Sequence, residues 1–229
     1  IALVTGGGSG IGYTIAEQLL RLGAKVYVAS RKQDRIDKAA EQLRAIGPCE
    51  GLVCDIRSTE DLQRVAETIK ANDGRLDILI NNAGGQFPSP AEDISEKGWL
   101  AVVNNNLNGT WNATQTMAKS FFIPQQSGAI VNIIVNFYRG VPGMAHTGAA
   151  RAGVDAVART AAQLGYDASW QRIRPAVDVL VRPEIDFERL RARAARGKLF
   201  GLQVPVASID DLLVMKRAAN RGKDLLDIE

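Results

Sequence analysis

The feature that most constrains this chain is the run Thr5-Gly6-Gly7-Gly8-Ser9-Gly10-Ile11-Gly12. It lies between an apolar stretch, Ile1–Val4, and a segment of helical periodicity that begins near Gly10. Glycine takes positive φ and carries no Cβ, so the loop can turn sharply, approach a pyrophosphate with its backbone, and let the helix pack closely on the strand. The helix N-terminus presents free N–H groups and a partial positive charge, which suit a phosphate. A plain structural turn would explain the glycines alone. The strand before them and the helix after them favour a dinucleotide cradle, with Thr5, Gly6, Ser9, Gly10, Ile11 and Gly12 as its expected contacts.

The rest of the chain continues the alternation. Strands are predicted over Lys25–Ala29, Gly51–Cys54, Asp77–Ile80 and Ala129–Val135, the last apolar throughout except for Asn132. Helices are predicted over Gly10–Leu22, Gln33–Ile46, Thr59–Ala71, Glu96–Phe122 (capped by Ser95) and Thr147–Leu164. Short apolar strands alternating with helices specify an α/β fold, a doubly wound, Rossmann-like parallel sheet covered on both faces. Its ligand sites belong at the carboxyl ends of the strands.

The second strand ends in Ser30-Arg31-Lys32. A site for NAD(H) would place an acid there for the ribose 2′-hydroxyl, whereas hydroxyl and cations suit a 2′-phosphate, so Ser30 and Arg31 point to NADP(H). Residues 1–170 carry sixteen charges of each sign, and the tail from Gln171 has twelve cations against nine anions. A neutral main body argues against nucleic acid as a partner. No stretch approaches the ~18 apolar residues of a membrane helix, so no membrane association is expected. No signal peptide is visible, and the missing initiator Met predicts a trimmed or incomplete N-terminus. Cys49 and Cys54 have neither redox nor zinc spacing, and with one histidine in the chain no metal site is expected. They read as reduced, partly buried thiols of a cytoplasmic protein.

With Thr5–Gly12 the chain resembles the short-chain dehydrogenase/reductase family, and later motifs agree in order and spacing over residues 1–174. Asp55 and Ile56 in Cys54-Asp55-Ile56 match the strand-three segment placed near the adenine. Asn82, Ala83 and Gly84 in Asn81-Asn82-Ala83-Gly84 match the motif whose backbone lies beside the cofactor. Asn106 matches the helix asparagine linked to the family's proton relay. Residues 84–92 and 146–154 are most similar to peroxisomal trans-2-enoyl-CoA and dienoyl-CoA reductases. The resemblance implies a small-molecule substrate of the acyl-CoA kind and a homo-oligomer, dimeric or tetrameric.

The catalytic centre departs from the family's serine, tyrosine and lysine. Arg151 falls at the lysine, Thr147 at the tyrosine, and Ile134 or Val135 at the serine. Ketone reduction needs an acidified phenol, and threonine is far too weak an acid to replace it. Enoyl-thioester reduction asks chiefly for stabilisation of charge on the thioester oxygen. Arg151 can hold the nicotinamide ribose and keep the site positive. Tyr138 is the nearest phenol, with packing over the helix as its alternative role. His146 is open to two readings, a group that polarises a carbonyl or a structural residue at a helix start.

The tail breaks the pattern. Arg172-Ile173-Arg174 begins the family's next segment and Pro175 ends it. Val177–Val181 is a candidate sixth strand, Phe187–Arg196 a basic helix, Lys198–Val206 a hairpin turning near Gly201, and Ser208–Ala219 a capped helix. Residues 177–229 resemble the C-terminal part of small nucleotidyltransferase-like proteins of the toxin–antitoxin type, without their metal-binding acids. The chain therefore reads as an NADP(H)-binding domain over 1–174 with an atypical extension over 175–229, fused from an unrelated protein or a continuous but unusual relative. The sheet is expected to keep an open edge and the substrate pocket to lack its usual cover. Three functions stay open: an NADP(H)-dependent oxidoreductase acting on an enoyl thioester or related carbonyl compound, a non-catalytic NADP(H)-binding protein, and a basic tail acting as an interaction module.

Overall fold

β1 (Ala2–Thr5) is buried along its whole length, as a central strand covered on both faces must be. In the computed structural model, which describes residues 1–135, 140–163, 195–199 and 202–206, β1 pairs in parallel with β2 (Val26–Ser30) on one side and β4 (Ile78–Asn81) on the other. β3 (Cys49–Val53) extends the sheet beyond β2, and β5 (Ala129–Asn132) beyond β4. The order β3-β2-β1-β4-β5 reverses direction at β1, which opens a crevice between the carboxyl ends of β1 and β4.

Alternate residues of each strand point to opposite faces and nucleate two cores. Leu3, Tyr27 and Leu79 pack with Leu62 and Ile69 of α3 (Thr59–Asp73) and with Met117 and Phe121. Ala2, Val4 and Val28 pack with Ala16 and Leu20 of α1 (Gly10–Arg21) and Ile36 and Leu43 of α2 (Gln33–Arg44). Each fully buried leucine or isoleucine here is worth roughly 1.5–3 kcal/mol relative to exposure. Ser58 caps α3 by accepting from Asp61 N, and Gly74, at φ +70°, ends it in the left-handed conformation.

β2, β3 and β4 differ from their expected bounds by one or two residues, but β5 is three residues shorter at its end than expected. It stops at Asn132 because its last parallel partner is Asn81. Asn132, the polar exception in that apolar run, accepts a hydrogen bond from Asn81 Nδ2 at 2.9 Å. Among the described residues of the sheet, β3 and β5 form the two edges.

The long helix expected from Glu96 is divided by two π turns. α4 (Glu96–Val103) is capped by Ser95, whose Oγ accepts from Gly98 N, and is followed by a π turn over Asn104–Asn108. α5 (Gly109–Met117) leads through a second π turn, Ala118–Phe122, to the short α6 (Ile123–Gln125). Asn106 Nδ2 donates to Val102 O at 2.9 Å, the carbonyl that the Asn106 N–H would take in a regular α-helix. α7 (Ala145–Gln163) follows β5 among the described residues.

The chain divides into two units, Ile1–Ala176 and Val177–Glu229. In the second, β6 (Ala195–Leu199) and β7 (Leu202–Val206) pair antiparallel, with Ala195 opposite Val206 and Leu199 opposite Leu202. The hairpin therefore starts earlier than its expected Lys198. Ala195 and Arg196 are extended rather than the last residues of a helix, because Val206 and Pro205 pair with them. The expected strand at 177–181 and helix at 208–219 lie outside the described residues. Among the described residues, no helix is long and apolar enough to cross a membrane, and no cluster of His, Cys, Asp or Glu can hold a metal.

Candidate cofactor and active site

Thr5 ties the two central strands together at their carboxyl ends. Its Oγ1 donates to Ile80 O and accepts from the backbone N–H groups of Asn82 and Ala83, each at 3.1 Å. Asn82 Nδ2 donates to Thr5 O at 3.0 Å and to Gly6 O at 3.3 Å, so the segment after β4 is fastened to the glycine loop. Gly6 and Gly10 have φ of +67° and +58°. At Gly12 a Cβ would collide with Asn82 Nδ2 and Gly6 O, so the close approach of α1 to this loop requires glycine. Ser58 and Ser95 each cap a helix, but Ser9, at the N-cap of α1, gives no side-chain cap. The first N–H groups of α1 thus remain available to an anion.

A cleft of about 280 Å³ opens at this point. Of the residues expected to hold a cofactor, Gly6, Ser9, Ser30, Arg31, Ile56, Asn82, Ala83 and Gly84 line it. Thr5 and Gly12 support the cleft from behind, and Gly10 and Ile11 form the first turn of α1 rather than its wall. Asp55 is the departure. Its carboxylate is turned to Arg57, whose Nε and Nη2 lie 2.9 and 2.5 Å from its two oxygens. These bonds hold its pKa below the usual carboxylate range.

Ala29, Cys54, Asn105 and Arg35 also line the cleft. Arg35 is the important addition. It sits in the first turn of α2, four residues after Arg31, and its aliphatic stem packs where a Gly8 Cβ would come within 3.2 Å of it. Its place in the first turn of the helix predicted after Ser30-Arg31-Lys32 is a sequence signal for it, and a charged residue at such a place otherwise passes for solvated surface. Ser30, Arg31, Lys32 and Arg35 gather at one end of the cleft, and among the described residues no acid lines it.

At the other end, Asn106 secures the segment after Gly84. Its Nδ2 donates to Gly85 O at 2.7 Å and its Oδ1 accepts from Gly85 N at 3.3 Å. Arg151 reaches the same place from α7: a Cβ on Gly84 would collide with Arg151 Nη2 and with Asn106 Oδ1. Arg151 is buried, with 6% exposure, and its Nη1 has no hydrogen-bond partner. Burial lowers its pKa to about 10, so it stays cationic at neutral pH.

Thr147 is also buried, in the turn of α7 before Arg151. His146 Nδ1 accepts from Thr147 N at 2.9 Å, and its ring stands edge-on to Phe87 with centroids 4.7 Å apart. The ring's other nitrogen, Nε2, is buried without a hydrogen-bond partner among the described residues. Ile134, one candidate for the serine position, is exposed and apolar. Tyr138 lies outside the described residues.

A second cavity, about 570 Å³, is walled by Ala91, the Gly140–Ala145 turn, Gly148, Ala149 and Ala152. Its described lining side chains are apolar, and Gly148 and Ala152 directly follow Thr147 and Arg151 on α7.

The short chain dehydrogenase profile matches residues 1–171. The chain belongs to the short chain dehydrogenase family. It is 40% identical over 163 residues to the peroxisomal 2,4-dienoyl-CoA reductase [(3E)-enoyl-CoA-producing] of Danio rerio, covering 69% of this chain and 54% of that protein. The chain thus spans little more than half the length of that relative. Among solved structures, the citronellol catabolism dehydrogenase of Pseudomonas aeruginosa PAO1 is 38% identical, with a TM-score of 0.67 over 71% of this chain and 67% of the other. A metagenomic short-chain oxidoreductase solved in complex with NADP is 29% identical, with a TM-score of 0.67 over 72% and 75%. A nicotinamide dinucleotide fits the residues present, since the site combines positive-φ glycines, an uncapped helix N-terminus and a cleft with no acid among its described lining residues.

Proposed function

We propose that the protein is an NADP(H)-dependent oxidoreductase that reduces an α,β-unsaturated acyl thioester. The observation that carries the cofactor preference is the group Ser30, Arg31 and Arg35 at one end of a cleft with no acid among its described lining residues, where a 2′-phosphate finds a hydroxyl and two guanidinium groups. Gly6, Ser9 and the first turn of α1 would hold the pyrophosphate, and the Asn82–Gly84 backbone the nicotinamide half. NADPH held there supplies a hydride.

The chain's own residues do the rest. Asn106 fixes the Gly84–Gly85 backbone at that end of the cleft, and Arg151 keeps it positive. The open apolar depression beside α7 suits a hydrocarbon chain, its volume falling within the roughly 300–1,000 Å³ of small-molecule sites. The zebrafish relative's acyl-CoA activity supports this substrate class. Leu100 and Trp111, exposed on the long helical segment, support a homo-oligomer built through that face.

The test is loss of NADPH absorbance with crotonyl-CoA and longer enoyl-CoA thioesters. Turnover with NADPH, and much slower turnover with NADH, is expected. The replacement of the phenol position by the buried Thr147 favours a second reading, a binding protein without turnover. Saturable NADPH binding with no reaction across an enoyl and carbonyl panel would establish that second reading and overturn the first.

A further inference from the structure

The cleft has an apolar slot beside its phosphate-binding group. Cys54 N donates to Ser30 O at 3.0 Å, so the residues that follow β3 lie against the end of β2. Ala29, Cys54, Ile56 and Ala83 line the cleft there, and their apolar surface suits the faces of a flat ring. A purine also carries donors and acceptors around its edge, which are costly to bury unless matched.

Asp55 has the position to meet that edge, but both its oxygens are taken by Arg57, and it is not among the residues that line the cleft. Asn82 lines the cleft but spends its Nδ2 on Thr5 O and Gly6 O. Asn105 is placed differently. It lines the same cleft from the π turn between α4 and α5. Its neighbours on that turn are engaged elsewhere: Asn106 Nδ2 with Gly85 O and Val102 O, and Asn104 Oδ1 with Asn108 Nδ2. Gly109, four residues on, packs against Ile56, since a Cβ there would come within 2.6 Å of Ile56 Cδ1. The turn that carries Asn105 therefore closes on the slot at Ile56. On its other flank the Asn105 amide stands beside Gly85, whose Cβ would come within 3.1 Å of Asn105 Nδ2. The residue is half-buried, so its amide is confined on two sides and still open to the cleft.

We infer that Asn105 reads the base of the cofactor, its Oδ1 accepting from the adenine N6 amino group and its Nδ2 donating to N7. This rests on the NADP(H) reading above and adds to it the residue that sets the choice of base. A side-chain amide presents an acceptor and a donor side by side, which matches the N6/N7 edge of adenine in a bidentate pair. Hypoxanthine presents two acceptors at the same edge, O6 and N7, so no orientation of the amide satisfies both.

The test is a nicotinamide-fluorescence titration of the whole chain with NADPH and with its hypoxanthine counterpart, reduced nicotinamide hypoxanthine dinucleotide phosphate. The wild type is expected to bind NADPH about tenfold or more tightly than the hypoxanthine nucleotide, as the loss of a bidentate base contact requires. Asn105→Leu, shown to be folded by thermal melting, is expected to bring the two within about threefold by weakening NADPH. It should keep the preference for NADPH over NADH, which Ser30, Arg31 and Arg35 set. Asp55→Asn is expected to keep the wild-type ratio between the bases. Equal affinity of the wild type for the two bases overturns the inference whatever the variants do. A wild-type ratio in Asn105→Leu, or a ratio lost in Asp55→Asn, overturns it as well, as does a folded Asn105→Leu that binds neither nucleotide. Binding of NADPH without choice of base leaves the cofactor reading standing, whereas a wild type that binds neither nucleotide removes both.

Discussion

The side chain of Asn106 holds Gly85 by both of its backbone groups, donating to Gly85 O at 2.7 Å and accepting from Gly85 N at 3.3 Å. The same amide takes the Val102 carbonyl within the π turn. One residue therefore fixes a helix irregularity and the segment that follows β4. Asn106→Ala leaves the buried Val102 carbonyl without this partner, at roughly 1–3 kcal/mol for such a group, and frees the exposed Gly85 backbone from its two bonds. Urea denaturation should show a loss in that range or above, and fluorescence titration should show weaker NADPH binding. Unchanged stability would mean that the turn is held by other contacts.

Gly84 is confined by two side chains from different helices. Alanine there would drive its Cβ into Arg151 Nη2 and Asn106 Oδ1. Overpacking of this kind typically costs about 1–3 kcal/mol. Gly74→Ala is the useful contrast, because a Cβ there meets nothing and only the positive φ is strained, at roughly 1 kcal/mol. Denaturation midpoints of the two variants measure the difference, and NADPH affinity should fall for Gly84→Ala alone.

Arg31 and Arg35 are assigned the 2′-phosphate. A charge-assisted hydrogen bond is worth about 1.5–3 kcal/mol, so removing either guanidinium should weaken NADPH binding by about 10–100-fold. Binding of NADH, which lacks that phosphate, should change little. Paired titrations of Arg31→Ala and Arg35→Ala with both nucleotides check this, and equal losses for both would remove the assignment.

The sheet and its glycine loop were readable in the residues because both depend on local chemistry: apolar β-branched runs, and glycines where backbone must turn or approach. Other features depend on partners distant in sequence. Asn132 looks like an irregularity in an apolar strand until Asn81 is placed beside it. The π turns are hidden because one extra residue scarcely alters helical periodicity. Asp55 has the right type and position for a cofactor contact, but Arg57, two residues on, captures its carboxylate. The early start of β6 follows from cross-strand pairing with β7, which no helical pattern in residues 187–196 reveals.

Both cysteines are buried and free, and burial raises their thiol pKa values to about 11 for Cys49 and about 12 for Cys54. In the unfolded chain they would ionise near ~8.5. Raised folded values mean that their contribution to stability is complete below the unfolded pKa and is lost as pH rises from there towards the folded values. Denaturation curves between about pH 8.5 and pH 11 should therefore decline for the wild type and more gently for Cys49→Ala/Cys54→Ala. Native thiols should also react slowly with iodoacetamide at neutral pH, and unfolding should release that protection.

The central claim is that the cleft at the ends of β1, β2 and β4 holds NADP(H) in preference to NAD(H). Equilibrium titration of the whole chain with NADPH and NADH, followed by nicotinamide fluorescence at one salt concentration, tests it most directly. Saturable binding of NADPH at one site per chain, with NADH at least about tenfold weaker (a difference of about 1.4 kcal/mol), is the predicted result. Equal affinity for the two, or no saturable binding of either, would contradict it.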